Sequence, residues 1–182
     1  MINHILNLKK LKLNYKIALI SIAALFLLIL FLVQKKIFFL FIFTTLSIVL
    51  SIVIGFVPPL KIVGIELVTF STILTGRFFG PAIGAVFGVC LLTIHLIASR
   101  YNGGPYLVWT IPSYAIIGIL SGFLTDVKML VAMIIGVVIL DNLLTLAFFK
   151  ENYMKTVIFS IGNLIFNIIL LLNFFQLIIG LI

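Results

Sequence analysis

The chain has 182 residues, 64% of them hydrophobic and 9% charged. Soluble domains carry about 25% charged residues, so a single water-soluble core is excluded and lipid must solvate most of the surface. The formal charge is +8, but the lysines sit at the ends of apolar runs, which points to membrane orientation and headgroup contact rather than nucleic acid.

Backbone groups in lipid need internal partners, which leaves helices or a closed barrel. The apolar runs are continuous, not the alternating segments of about ten residues that a barrel needs, so helices are expected. The first run, Ile17 to Val33, follows Lys9, Lys10, Lys12 and Lys16. It resembles a signal peptide, but the bulky Phe31-Leu32-Val33-Gln34 offers no cleavage pattern, so it is expected to be retained. Next come Ile37 to Val57, ending at Pro58-Pro59, and the short Ile62 to Gly76, ending at Arg77 at a membrane surface. Pro81 is expected to begin the helix over Phe79 to Ser99. Tyr101 to Pro105 reads as a turn. Tyr106 to Leu124, Met129 to Phe149 and Thr156 to Ile182 complete the chain. This predicts an all-α integral membrane protein, with an N-terminal segment 1–34 and a six-helix membrane domain 35–182.

Small residues recur at a spacing of four: Ser47, Ser51 and Gly55; Gly80, Gly84 and Gly88; Gly118 and Gly122. That spacing keeps them on one helix side, where they let another backbone approach.

If the six spans alternate in direction, the buried polar groups gather in one half of the membrane, on the side reached at Pro58. These are Glu66, His95, Trp109, Asp141 and Asn163, with Asn167 one turn deeper. Ionisable groups in lipid cost about 2.5–3.5 kcal/mol at mid-depth, so they face a cavity or one another. Glu66 suits an interfacial position as well as a pocket, and Trp109 and Tyr106 suit an aromatic belt as well as a stacking platform. Trp109 and Tyr114 are splayed on their helix, whereas Trp109 and Ser113 share a face. A site is therefore expected from Trp109, Ser113, Asp141, Asn163 and Asn167, with Glu66 and His95 nearby, roofed by Asn102-Gly103-Gly104. The single Cys90 excludes an internal disulfide, and no metal-ligand spacing, phosphate loop or nucleophile motif is present. No cofactor, metal or enzymatic reaction is expected.

The segment Pro58 to Leu124 resembles the membrane-embedded S components of energy-coupling factor (ECF) transporters. The likeness rests on a proline-bearing loop, a short helix, the entry Gly76-Arg77-Phe78-Phe79-Gly80-Pro81-Ala82-Ile83-Gly84-Ala85-Val86-Phe87-Gly88, a Gly-Gly-Pro loop and Ile117-Gly118-Ile119-Leu120-Ser121-Gly122. The resemblance implies six helices in the cell membrane, a pocket toward the outside for a small vitamin-like nutrient, and docking on a transmembrane coupling subunit driven by two ATPases. Family members often carry Ala-x-x-x-Ala for docking in their first helix; Ser47 and Ser51 stand at the comparable place.

Charge leaves orientation open. Lys35, Lys36, Arg77 and Lys128 on one side face Lys61, Arg100, Lys150 and Lys155 on the other. The N-terminal lysines favour one side or the other according to whether residues 17–33 cross the membrane. A different reading is a membrane scaffold of MreD type, in which the polar residues only bond helices together.

Overall fold

The computed structural model describes residues 2–57, 59–101, 104, 107–148 and 153–182. Among them the regular structure is helical throughout. Helix α1 runs Ile2–Val33, α2 Lys35–Phe56, α3 Leu60–Val63, α4 Val68–Phe79 and α5 Pro81–Ala98. After these come α6 Leu107–Phe123, α7 Val127–Phe148, α8 Tyr153–Leu170, a π-helical turn Leu171–Phe175 and α9 Gln176–Leu181. Among the described residues five helical stretches are long and apolar enough to cross a membrane: Tyr15–Val33, Lys35–Phe56, Pro81–Ala98, Val127–Phe148 and Met154–Leu181. Helix α6 is a shorter apolar helix. The chain is an all-α, multi-pass membrane protein.

It divides into two units, Met1–Phe39 and Leu40–Ile182. In the first, the ring of Phe38 meets that of Phe31 edge-on at 5.1 Å. This contact ties the first turn of α2 to α1, so the division falls later than the expected junction after residue 34. Helix α1 also begins far earlier than its apolar run, because the lysine-bearing stretch before Ile17 continues the same helix.

The second unit is built around α4. Its residues from Val68 to Gly76 are all buried, and Val68, Phe70, Ile73 and Leu74 have no measurable exposure. The expected single span Ile62 to Gly76 is instead broken. Helix α3 ends at Gly64 with φ 72°, a left-handed conformation that favours glycine. A side chain there would also collide with the backbone of Phe159 in α8. The chain resumes helix at Val68, so Glu66 lies in the break. Hydrophobicity runs across both pieces, which is why the break is invisible in composition.

Around α4, helices α5 and α6 close on a glycine seam. A Cβ on Gly84 would sit 2.5 Å from the Gly76 Cα and 2.6 Å from the Gly118 carbonyl oxygen. One turn on, a Cβ on Gly88 would meet Thr72 Cγ2 at 2.6 Å and the Tyr114 carbonyl at 2.9 Å. Gly122 lies against Pro81. Close approach of three backbones lets dispersion accumulate where lipid supplies no hydrophobic drive. Gly80 does not belong to this seam: a Cβ there would meet nothing within 4 Å. Its φ of 95° makes the turn after which Pro81 starts α5 at a first-turn position.

On α2, Ser47 and Ser51 are buried, and a Cβ on Gly55 would meet the Ala98 carbonyl at 2.6 Å. The set expected to pack or to dock a partner is turned inward onto α5. The expected last helix is interrupted by the π turn, which buries Leu171 and Phe175.

Candidate functional site

The break between α3 and α4 places a carboxylate inside the membrane body. Glu66 is 2% exposed. Its oxygens accept the backbone N–H groups of Val68 and Thr69, the latter at 3.2 Å. They also accept Thr69 Oγ1–H at 2.6 Å, Tyr114 O–H at 3.2 Å, Asn163 Nδ2–H at 2.8 Å and Asn167 Nδ2–H at 3.5 Å. The start of α4 adds the positive end of its dipole. A buried carboxylate is tolerated when its lone pairs are filled by donors, and here every bonded partner is a neutral donor. The cluster joins the break to α4, α6 and α8.

A second polar pair lies on α2 and α5. His95 is 6% exposed, and its Nδ1 is 2.8 Å from Ser51 Oγ. The Ser51 hydroxyl is also 2.6 Å from the Ser47 carbonyl. A hydroxyl has one proton. With that proton on the carbonyl, Nδ1–H donates to Ser51 and Nε2 is left as an acceptor.

A third pair joins α6 and α7. Ser113 Oγ is 2.6 Å from Asp141 Oδ1 and 2.9 Å from the Trp109 carbonyl. The Trp109 ring lies 5.9 Å from that of Phe148. The pairings Trp109 with Phe148 and Ser113 with Asp141 make the two helices antiparallel.

Between these clusters is a cavity of about 560 Å³ within the second unit. Its floor is apolar and buried, with Leu92, Ile117 and Ile134, and carries Thr69, Tyr114 and Asn163 from the Glu66 cluster. Higher up, His95, Val138, Asp141, Phe159 and Ser160 form the walls. The rim is made of chain ends: Lys61 in α3, Arg100 and Tyr101 after α5, Gly104, and Lys155 in α8. Lys61 Nζ donates to the Arg100 carbonyl at 3.2 Å, and the Arg100 guanidinium sits 4.7 Å from the centre of the Phe56 ring. Burial pushes the Tyr101 phenol above its usual range, so at neutral pH it is a proton donor.

Of the residues expected at the site, His95, Asp141 and Asn163 line the cavity. Glu66 and Asn167 stand behind its floor, bonded to Asn163. Ser113 acts on the site by holding Asp141. Trp109 does not line the cavity; Tyr114 does. The rotation of α6 needed for Gly118 to reach Gly84 turns Tyr114 inward. Asn102 and Gly103 lie outside the described residues, as do Pro58, Tyr106, Phe149 and Lys150. The residues that sequence reasoning missed are Thr69, Phe159 and the rim cations Lys61, Arg100 and Lys155. At the ends of apolar runs, such cations read only as topology signals. Among the described residues no group of three or more His, Cys, Asp or Glu is placed to hold a metal ion.

Chemically, the chamber can bind and orient a small molecule. It offers apolar side chains from Leu92, Ile117 and Ile134, neutral polar groups from Thr69, Tyr114 and Asn163, one half-buried carboxylate and a cationic rim. No family model, curated protein or solved structure matches the chain. Fold and cavity define its class: a helical multi-pass membrane protein with a chamber inside its larger unit.

Proposed function

We propose that this protein is a membrane-embedded substrate-binding subunit for a small nutrient, acting in the cell membrane as the S components of ECF transporters do. The observation that carries the reading is the cavity. Its volume of about 560 Å³ falls within the range of about 300–1,000 Å³ usual for small-molecule sites, and its lining combines apolar side chains with a few convergent polar groups. A discontinuous helix whose break lies beside the chamber is also a recurrent feature of membrane transporters. The glycine entry Gly76 to Gly88 and the short α4 add the family likeness.

In this reading the chamber captures the nutrient, and a coupling subunit with two ATPases drives its release on the other side. Ser47 and Ser51 are occupied within the chain, so docking would use another helix face. Purification of the full chain from its native membrane in mild detergent tests the assignment. The expected result is co-purification of a membrane subunit and ATP-hydrolysing subunits. Recovery of the chain alone, or with cell-shape proteins and no ATPase, would favour the scaffold reading.

A further inference from the structure

We propose that the chamber takes an organic anion, with its acid group at the rim among Lys61, Arg100 and Lys155 and its apolar body lowered onto the floor. This rests on reading the chamber as a substrate site, and it names the substrate class. The three cations come from separate places in the chain: α3, the residues after α5, and α8. Nothing local brings them together; the fold does. Among the described lining residues the one carboxylate is Asp141, set on α7 and held by Ser113. Among the described lining residues positive charge therefore exceeds negative, and the Lys61–Arg100 bond makes two of the three cationic residues neighbours.

Two of the three are held in place. Lys61 is half-buried, and its bond to the Arg100 carbonyl uses one of three ammonium protons. Arg100 has a φ of 52°, uncommon for a residue with a side chain, and its guanidinium rests on the face of Phe56. Like charges gathered at the mouth of a low-dielectric chamber repel, and an anion relieves that repulsion while gaining charge-assisted hydrogen bonds. The buried floor holds Leu92, Ile117 and Ile134, which offer no partner for a charge, and the neutral polar groups of Thr69, Tyr114 and Asn163. The ligand this suits has a charged head and an apolar or weakly polar body. A phospholipid headgroup shares the anionic chemistry, so the test must separate the two.

The test uses the full chain in phosphatidylcholine nanodiscs and two fluorescent probes with a common ring body. One, 8-anilinonaphthalene-1-sulfonate, bears an anionic group; the other, N-phenyl-1-naphthylamine, is neutral. The anionic probe is expected to bind saturably above empty nanodiscs, and more tightly than the neutral one. The double variant Lys61→Gln/Lys155→Gln should weaken it about tenfold or more, the loss expected from one charge-assisted hydrogen bond, without weakening the neutral probe. Arg77→Gln/Lys128→Gln, which alters the last turn of α4 and the first turn of α7, away from the cavity lining, should leave both probes unaffected. Helix content and melting temperature of each variant report whether it is folded. The proposal is overturned by no saturable binding of the anionic probe, by equal affinity for both probes, or by equal losses in both double variants. Displacement by phosphatidylglycerol added to the nanodiscs would assign the rim to lipid and also overturn it. None of these results removes the chamber as a site for an uncharged molecule, which the retained-ligand measurement below tests separately.

Discussion

Asn163 in α8 donates to the carboxylate of Glu66 across 2.8 Å, although 97 residues separate them in sequence. The bond ties the break between α3 and α4 to the last long helix. Because Asn163 also lines the cavity, the floor of the chamber is fixed by a carboxylate that lies behind it.

Glu66→Ala should therefore be among the most damaging single substitutions. It leaves the amide of Asn163 and the start of α4 without their shared acceptor. Hydrogen bonds to a charged group contribute about 1.5–3 kcal/mol each, so a clear fall in melting temperature in detergent is expected. Glu66→Gln should fall between the two, since it keeps the shape but turns one acceptor into a donor facing donors. An unchanged melting temperature for Glu66→Ala would show that the cluster does not hold the fold.

Gly84 in α5 and Gly80 just before it should respond unequally to an added side chain. Gly84→Leu must push against the Gly76 backbone and the Gly118 carbonyl, neither of which is a flexible side chain. Overpacking of this kind costs about 1–3 kcal/mol or more. Gly80→Ala meets no atom within 4 Å, and its cost is the positive φ alone, about 1–2 kcal/mol. Thermal melting of Gly84→Leu at or above that of Gly80→Ala would dismiss the seam.

The first helix should be dispensable for the larger unit. A chain beginning near Gln34 retains the whole of α2, with Ser51 and its bond to His95. It is expected to purify as a monodisperse species with the same melting transition as the full chain. Aggregation of the shortened chain alone would place α1 in the core.

Asp141→Asn should leave helix content unaltered and weaken whatever polar group meets α7 by about 1.5–3 kcal/mol. Ser113→Ala, which removes the hydroxyl 2.6 Å from Asp141, should produce a smaller loss through the freed carboxylate. Calorimetry with the molecule that co-purifies measures both. Equal affinity in wild type and Asp141→Asn would take this residue out of the site.

Much of the second unit can be read from sequence for simple reasons. Continuous apolar runs demand helices in lipid, Pro81 after Gly80 marks a helix start, and spacing of four puts Gly84 and Gly88 on one face. Two features resist such reading. The unwound stretch from Gly64 to Leu67 sits inside an apolar run, and only contact with Phe159 and Asn163 explains it. The choice between Trp109 and Tyr114 depends on the rotation of α6, which its packing against Gly84 decides. The rim fails for a third reason. Lys61, Arg100 and Lys155 are unremarkable at separate helix ends and become a feature only when the bundle brings those ends together.

The most direct measurement of the central claim is native mass spectrometry of the full chain released from its own membrane. The wild type is expected to retain one small molecule per chain. Ser160→Trp, which fills the chamber from a lining position on α8, should appear at its bare mass with its helix content intact. A wild-type protein that is folded yet carries no small molecule, or a Ser160→Trp variant that retains the same molecule undiminished, would contradict a binding role for the cavity.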